Sequence, residues 1–231
     1  DYITQSHDVS PLVAKLLSIR NVNYQDIESY IKPSLKNSIP DPSTLTDMDT
    51  ACERLFKAIF DEERISIFGD YDVDGSTSTS ILVNYFKQIS INLDFHIPDR
   101  FTEGYGPSIN SFSKFKSKNT NVIITVDCGT MAHSEIAFAN QKGMDVIVLD
   151  HHLPEINLPE AKAIINPNRI DDISGLNYLA AVGVTFMLIV GLNRKLRNEG
   201  WFEKKLIKEP NLIELLDLVA CLLYTSPSPR D

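Results

Sequence analysis

Ile65-Ser66-Ile67-Phe68-Gly69-Asp70-Tyr71-Asp72-Val73-Asp74-Gly75 runs from an apolar stretch into three carboxylates at alternate positions, with a helix-like segment behind it. On an extended strand, alternate side chains share one face. On the sharp loop that Gly75 permits, the same three converge on a cation. Anionic oxygen donors select a hard divalent ion, Mg²⁺ or Mn²⁺, over zinc. A calcium loop of the EF-hand type also has aspartates at positions 1, 3 and 5 and glycine at 6, but it needs a bidentate Glu at position 12, where Ile81 stands. It also needs an entering helix, whereas the entering run here is β-rich. An Asp-Gly-rich stretch is, by itself, also a common solvated turn.

Alternation of strands and helices surrounds this stretch. Ile65–Phe68, 92–97, Val122–Val126, 146–149 and Ala163–Ile165 read as short buried strands, and 77–88, 134–142 and 180–198 as the helices between them. The fold class expected is therefore α/β, a parallel sheet flanked by helices. Upstream, Asp47 to Phe60 places Met48, Ala51, Leu55, Ala58 and Ile59 on one helical face. Earlier still, Leu12, Leu16, Leu17, Ile27, Tyr30 and Ile31 recur at helical spacing until Pro33, Pro40 and Pro42 break the pattern, which predicts a short helical arm.

In parallel sheets, functional residues gather beyond the carboxyl ends of the strands. Val126 is followed by Asp127-Cys128-Gly129, and Leu149 by Asp150-His151-His152. A single Asp after a strand is more often a cap or turn former than a ligand. Asp70, Asp72, Asp74, Asp127 and Asp150 together with His151 and His152 at three strand ends are not explained that way, because such a cluster repels itself without a cation. A zinc-protease motif is excluded, since its histidines stand four apart around a Glu.

The 231 residues suffice for one or two domains, and 43% hydrophobic with 23% charged residues is ordinary globular composition. No apolar run approaches a membrane span, and the N-terminus lacks the pattern of a secretory signal. Cys52, Cys128 and Cys221 are too few and too dispersed for a disulfide framework or zinc ribbon, which favours a cytoplasmic protein with reduced thiols. A net charge of −9 speaks against binding nucleic acid through a broad basic surface. Cations held by clustered aspartates answer that objection, because a phosphate would meet the ions.

The stretches Phe68 to Gly75, Val126-Asp127-Cys128-Gly129 and Asp150-His151-His152-Leu153-Pro154 resemble the first three motifs of the DHH phosphoesterase superfamily. Ile97 to Gly106, Asn166-Pro167 and Ala181 to Phe186 are similar to its bacterial single-strand-specific exonucleases. The resemblance implies a metal-dependent exodeoxyribonuclease of DNA repair and recombination that degrades single-stranded DNA from the 5′ end by a two-metal mechanism with Mn²⁺ or Mg²⁺. It implies single-stranded DNA, a single-strand-binding protein and a helicase as partners, no membrane, and the bacterial cytoplasm. It also implies that Asp70, Asp72 and Asp127 hold one ion and Asp74, Asp127 and His151 the other, with Asp127 bridging. His152 would contact the scissile phosphate and Asp150 orient the imidazoles. By residue type, Arg100 is a candidate to hold a phosphate and Tyr105 to stack on a base, the alternatives being a structural ion pair and a packed loop. Phe68 stands where many members have His, so the first ion relies on carboxylates. A short-oligonucleotide or small-molecule phosphoesterase, or a non-catalytic replication scaffold of the same fold, are the alternatives.

The resemblance stops near Ala220. A Gly-Thr-x-Ala-Asp-like fourth motif, expected just after Asp217-Leu218-Val219-Ala220, is missing, and the ending from Cys221 resembles translated sequencing-adapter read-through. The expected layout is a helical arm at 1–45, an incomplete DHH catalytic domain at 46–220 and a non-native tail at 221–231, with little nuclease activity in the chain as it stands.

Overall fold

The computed structural model describes residues 2–34 and 38–225. Most of the segment expected as a non-native tail, from 226 on, lies outside them. Two units divide the chain, Asp1–Asp41 and Pro42–Asp231.

The first unit holds the helices α1 (Tyr2–His7), α2 (Pro11–Ile19) and α3 (Ile27–Ile31). Ser10 caps α2, its hydroxyl accepting the Val13 N–H at 3.3 Å, and Pro11 occupies the first helical position, where a missing N–H costs nothing. Ala14, Leu17 and Ile27 are buried. Tyr24 packs against the rings of Tyr2 and His7.

The second unit is built on β1 (Ile65–Gly69), β2 (Asp94–His96), β3 (Val122–Val126), β4 (Asp145–Leu149) and β5 (Ala163–Ile165), all parallel, in the order β2-β1-β3-β4-β5. Its helices are α4 (Met48–Phe60), α5 (Val73–Gln88), α6 (Ile109–Ser117), α7 (His133–Gln141), α8 (Ala181–Asn198), α9 (Trp201–Lys205) and α10 (Leu216–Thr225). Every residue of β1 and β3 is buried, as a sheet covered on both faces requires. One face packs Phe68, Ile123, Val146 and Val148 against Phe112 and Phe115 of α6 and Ile136 and Ala139 of α7. The helix α8 packs against both α4 and α5, and all three contact the strands.

The strand order reverses direction between β1 and β3. At such a switch point the loops after the two strands diverge and leave a crevice. Register fixes what lines it. Gly69 pairs with Val126, Val126 with Leu149, and Leu149 with Ile165. The ladder continues one residue further, with the amides of Asp70, Asp127 and Asp150 donating to the carbonyls of Val126, Leu149 and Ile165 at 3.3, 2.8 and 3.1 Å. Asp70, Asp127, Asp150 and Asn166 therefore each follow the last residue of a strand in this row.

One sequence expectation needs correction. Gly75 is not in an open loop: α5 starts at Val73 rather than 77, so Gly75 lies in its first turn. There a Cβ would lie 2.5 Å from the Asp70 carbonyl oxygen, so the glycine is needed for close approach of helix to strand end. Two helices, α6 and α9, were not expected from the sequence.

Candidate metal centre

Asp70 follows the last residue of β1, Asp72 caps α5 by accepting the Gly75 N–H at 2.9 Å, and Asp74 sits one residue into the helix after Val73. Alternation on a strand thus becomes a strand end, a cap and a helical position, which point into one crevice from a chain reversal. Asp127 adopts φ 60°, a left-handed conformation that Asp tolerates better than most residues and that turns the chain sharply after β3. Gly129 follows at φ 112°, where a Cβ would meet Thr125 Oγ1 at 2.5 Å.

Two sets of donors converge. Asp70, Asp72 and Asp127 bring ligand atoms within 4.8 Å of one another, and so do Asp127, His151 and His152. Asp127 is common to both. His151 Nε2 lies 3.4 Å from Asp127 Oδ1 and 3.5 Å from Asp74 Oδ2. Asp74 is also engaged elsewhere: its two oxygens accept the N–H groups of Ala181 and Val182 at 2.8 and 2.7 Å, tying it to the start of α8.

Asp150 serves the imidazole motif. Its Oδ1 accepts from the amides of His151 and His152 at 2.8 and 3.2 Å and lies 2.7 Å from His152 Nδ1, while Oδ2 accepts from Thr130 N–H at 3.1 Å. Asn166 supports the same loop by donating to the His152 carbonyl at 2.9 Å and to Thr130 Oγ1 at 3.2 Å, and Asn168 donates to the His151 carbonyl. Sequence reasoning gave these asparagines no role. The signal was present, since Asn166 follows a strand just as the three aspartates do.

Electrostatics follow from burial. Burial drives Asp127 up to about 7, with the charges of Asp74 and Asp72 adding to the shift and the His151 imidazole, 3.4 Å from Oδ1, opposing it. Burial likewise raises Asp70 and Asp74. Asp150 goes the other way: burial opposes its charge, but hydrogen bonds from His152 and Thr130 outweigh that and hold it below the usual range. The Asp127 carboxylate, 3.4 Å away, raises His151, and the hydrogen bond to Asp150 raises His152 to about 9.

Tyr105 reaches the centre, its hydroxyl donating to the Asp127 carbonyl at 3.1 Å, and its ring meets that of His152 edge to face. Arg100 is exposed, with its guanidinium 5.5 Å from the centroid of the Tyr71 ring. A cavity of about 820 Å³ opens on Asp72, Asp74, Asp127, His151 and His152.

The donors suit a hard cation. Asp70 Oδ1 and Asp127 Oδ1 are buried without a hydrogen-bond partner. At an effective dielectric near 20, two carboxylate charges this close repel by about 3–4 kcal/mol, so the ionised cluster calls for positive charge. Carboxylate and imidazole donors in this ratio fit Mn²⁺ or Mg²⁺.

The description "DHH family, N-terminal domain" matches residues 64–221. The single-stranded-DNA-specific exonuclease RecJ of Salmonella typhimurium is 40% identical over 97% of this chain, and the RecJ of Bacillus subtilis 38% identical over 85%. The chain spans 38% of the former's length and 25% of the latter's. A crystal structure of exonuclease RecJ bound to manganese superposes with a TM-score of 0.65 at 29% identity, covering 79% of this chain and 43% of that one. A match over residues 64–221 takes in all five strands and each donor of the centre, and the chain belongs to the DHH family.

Proposed function

We propose that this chain carries the catalytic centre of a metal-dependent exodeoxyribonuclease that hydrolyses single-stranded DNA from its 5′ end, with Mn²⁺ or Mg²⁺ as cofactor. The observation that carries the reading is Asp127, one buried carboxylate common to two converging donor sets. Relatives described as single-stranded-DNA-specific exonucleases, and one solved with manganese, support the choice of substrate and ion. Residues 46–220 form the catalytic part in this reading, and 1–45 an arm.

Asp70, Asp72 and Asp127 would hold one ion, and Asp127 with His151 and Asp74 the other. Bound there, the ions supply charge stabilisation at the phosphoryl oxygens and a water nucleophile of lowered pKa. The protein's part is orientation. Asp150 holds His152 through Nδ1, which leaves the Nε2 edge of the half-exposed ring to meet the scissile phosphate. Asn166 and Asn168 fix the backbone on which both imidazoles ride, and Tyr105 is held by Asp127 where a base can lie on it. Arg100, its guanidinium 5.5 Å from the centroid of the Tyr71 ring, would take a phosphate. A single-strand-binding protein and a helicase are the partners such an activity calls for, and the cytoplasm its compartment. Among the described residues no helix is long and apolar enough to cross a membrane.

A chain of net charge −9 repels DNA, so binding should depend on the ions. By fluorescence anisotropy, a labelled 5′-phosphorylated single strand is expected to bind in Mn²⁺, to dissociate on adding EDTA, and to lose its Mn²⁺-dependent binding in Asp127→Ala. Binding that ignores both EDTA and the substitution would sink the proposal.

A further inference from the structure

We infer that the groove lined by Tyr105, Pro107, Met131, Ala132, Glu135 and His152 seats a nucleobase bearing an exocyclic amino group, with Glu135 as the side chain that selects it. This rests on the proposed action on nucleic acid.

The groove has a volume of about 520 Å³. His152 lines both it and the cavity on the carboxylates, so a strand whose phosphate meets His152 has this groove beside it. Its walls suit a flat ring. Tyr105 is pre-positioned by its bond to the Asp127 carbonyl, so little freedom is lost when a base packs on it. Met131 is 44% exposed, and its polarisable thioether is suited to an aromatic face.

Polar selection falls to one residue. Asp150 and His152 are engaged with each other, and the Tyr105 hydroxyl with Asp127. Glu135, in the first turn of α7, remains, with Ser134 Oγ donating to its Oε2 at 2.9 Å. An ionised carboxylate only accepts hydrogen bonds. Cytosine N4, adenine N6 and guanine N2 offer it donors, whereas thymine presents carbonyl oxygens on either side of one N–H. An acid in the first turn also suits the helix dipole, so base choice rather than stability is the discriminating readout.

The other methionines, Met48, Met144 and Met187, are buried, which makes the methyl-labelled Met131 a local NMR reporter. Titrating dCMP and dTMP in Mg²⁺ into the 231-residue chain and into Glu135→Gln is the experiment. For the parent, the Met131 methyl should report dCMP binding about fivefold tighter than dTMP, the ratio expected of one partly solvated hydrogen bond. Glutamine both donates and accepts, so Glu135→Gln should bring the two nucleotides level. Equal affinities in the parent, or a preference that survives the substitution, would overturn the assignment. A silent Met131 beside responding His151 and His152 rings would refute the groove and leave the nuclease reading standing. Silence at all three would refute both.

Discussion

Asp127 combines burial, a left-handed backbone and membership of both donor sets, and its protonation state follows from that position. Its folded-state pKa of about 7 lies above the unfolded value of about 4, so its contribution to stability is complete below about pH 4 and is lost as pH rises through 7. His152, raised to about 9, acts in the same direction at higher pH, its contribution being lost as pH rises from about 6.5 through 9. In EDTA, Asp127→Asn should therefore melt above the parent at pH 8, and the gap should narrow at pH 5. A gap that stays constant with pH, or has the opposite sign, would mean that the carboxylate is not held against its charge.

At the scale of elements, Asp74 links the first carboxylate motif to α8. Charge-assisted bonds to two helix N–H groups act as a cap supplied from a distant segment. Asp74→Ala should release the Ala181 and Val182 amides by about 1–2 kcal/mol, read as roughly 5- to 30-fold faster hydrogen exchange at those two positions. Unchanged exchange would show that the helix end is held by its other contacts. The same elements show what the sequence revealed. Val122–Val126 and Ala163–Ile165 stand where their apolar runs predict, because fully buried parallel strands are nearly uniform in character. The helix α6 was missed because its apolar content is sparse: Phe112 and Phe115 carry the buried face, and the start is marked by Ser108 and Ser111 capping each other, not by a Glu or Gln. The start of α5 lies ahead of its apolar pattern because Asp72, a loop carboxylate by its sequence, also caps the helix. Asn166 escaped attention since one asparagine before a proline reads as a turn, and only the sheet register reveals that it extends the row of aspartates.

For the whole molecule, the acidic balance and the crevice at the reversal of strand order have one explanation. The sheet delivers carboxylates to a switch point, and in the proposed function the cations they would gather would convert a repulsive edge into one that receives phosphate. If Asp127 serves both ions, the donor sets should respond unequally to substitution. Asp70→Ala should weaken one class of sites and His151→Ala the other, while Asp127→Ala should weaken both. Isothermal titration of Mn²⁺ into the metal-stripped chain and these three variants is the direct measurement. Asp127→Ala is expected to abolish the binding heat while each other variant retains part of it; Mn²⁺ binding by Asp127→Ala that matches the parent would show that the two donor sets share no carboxylate.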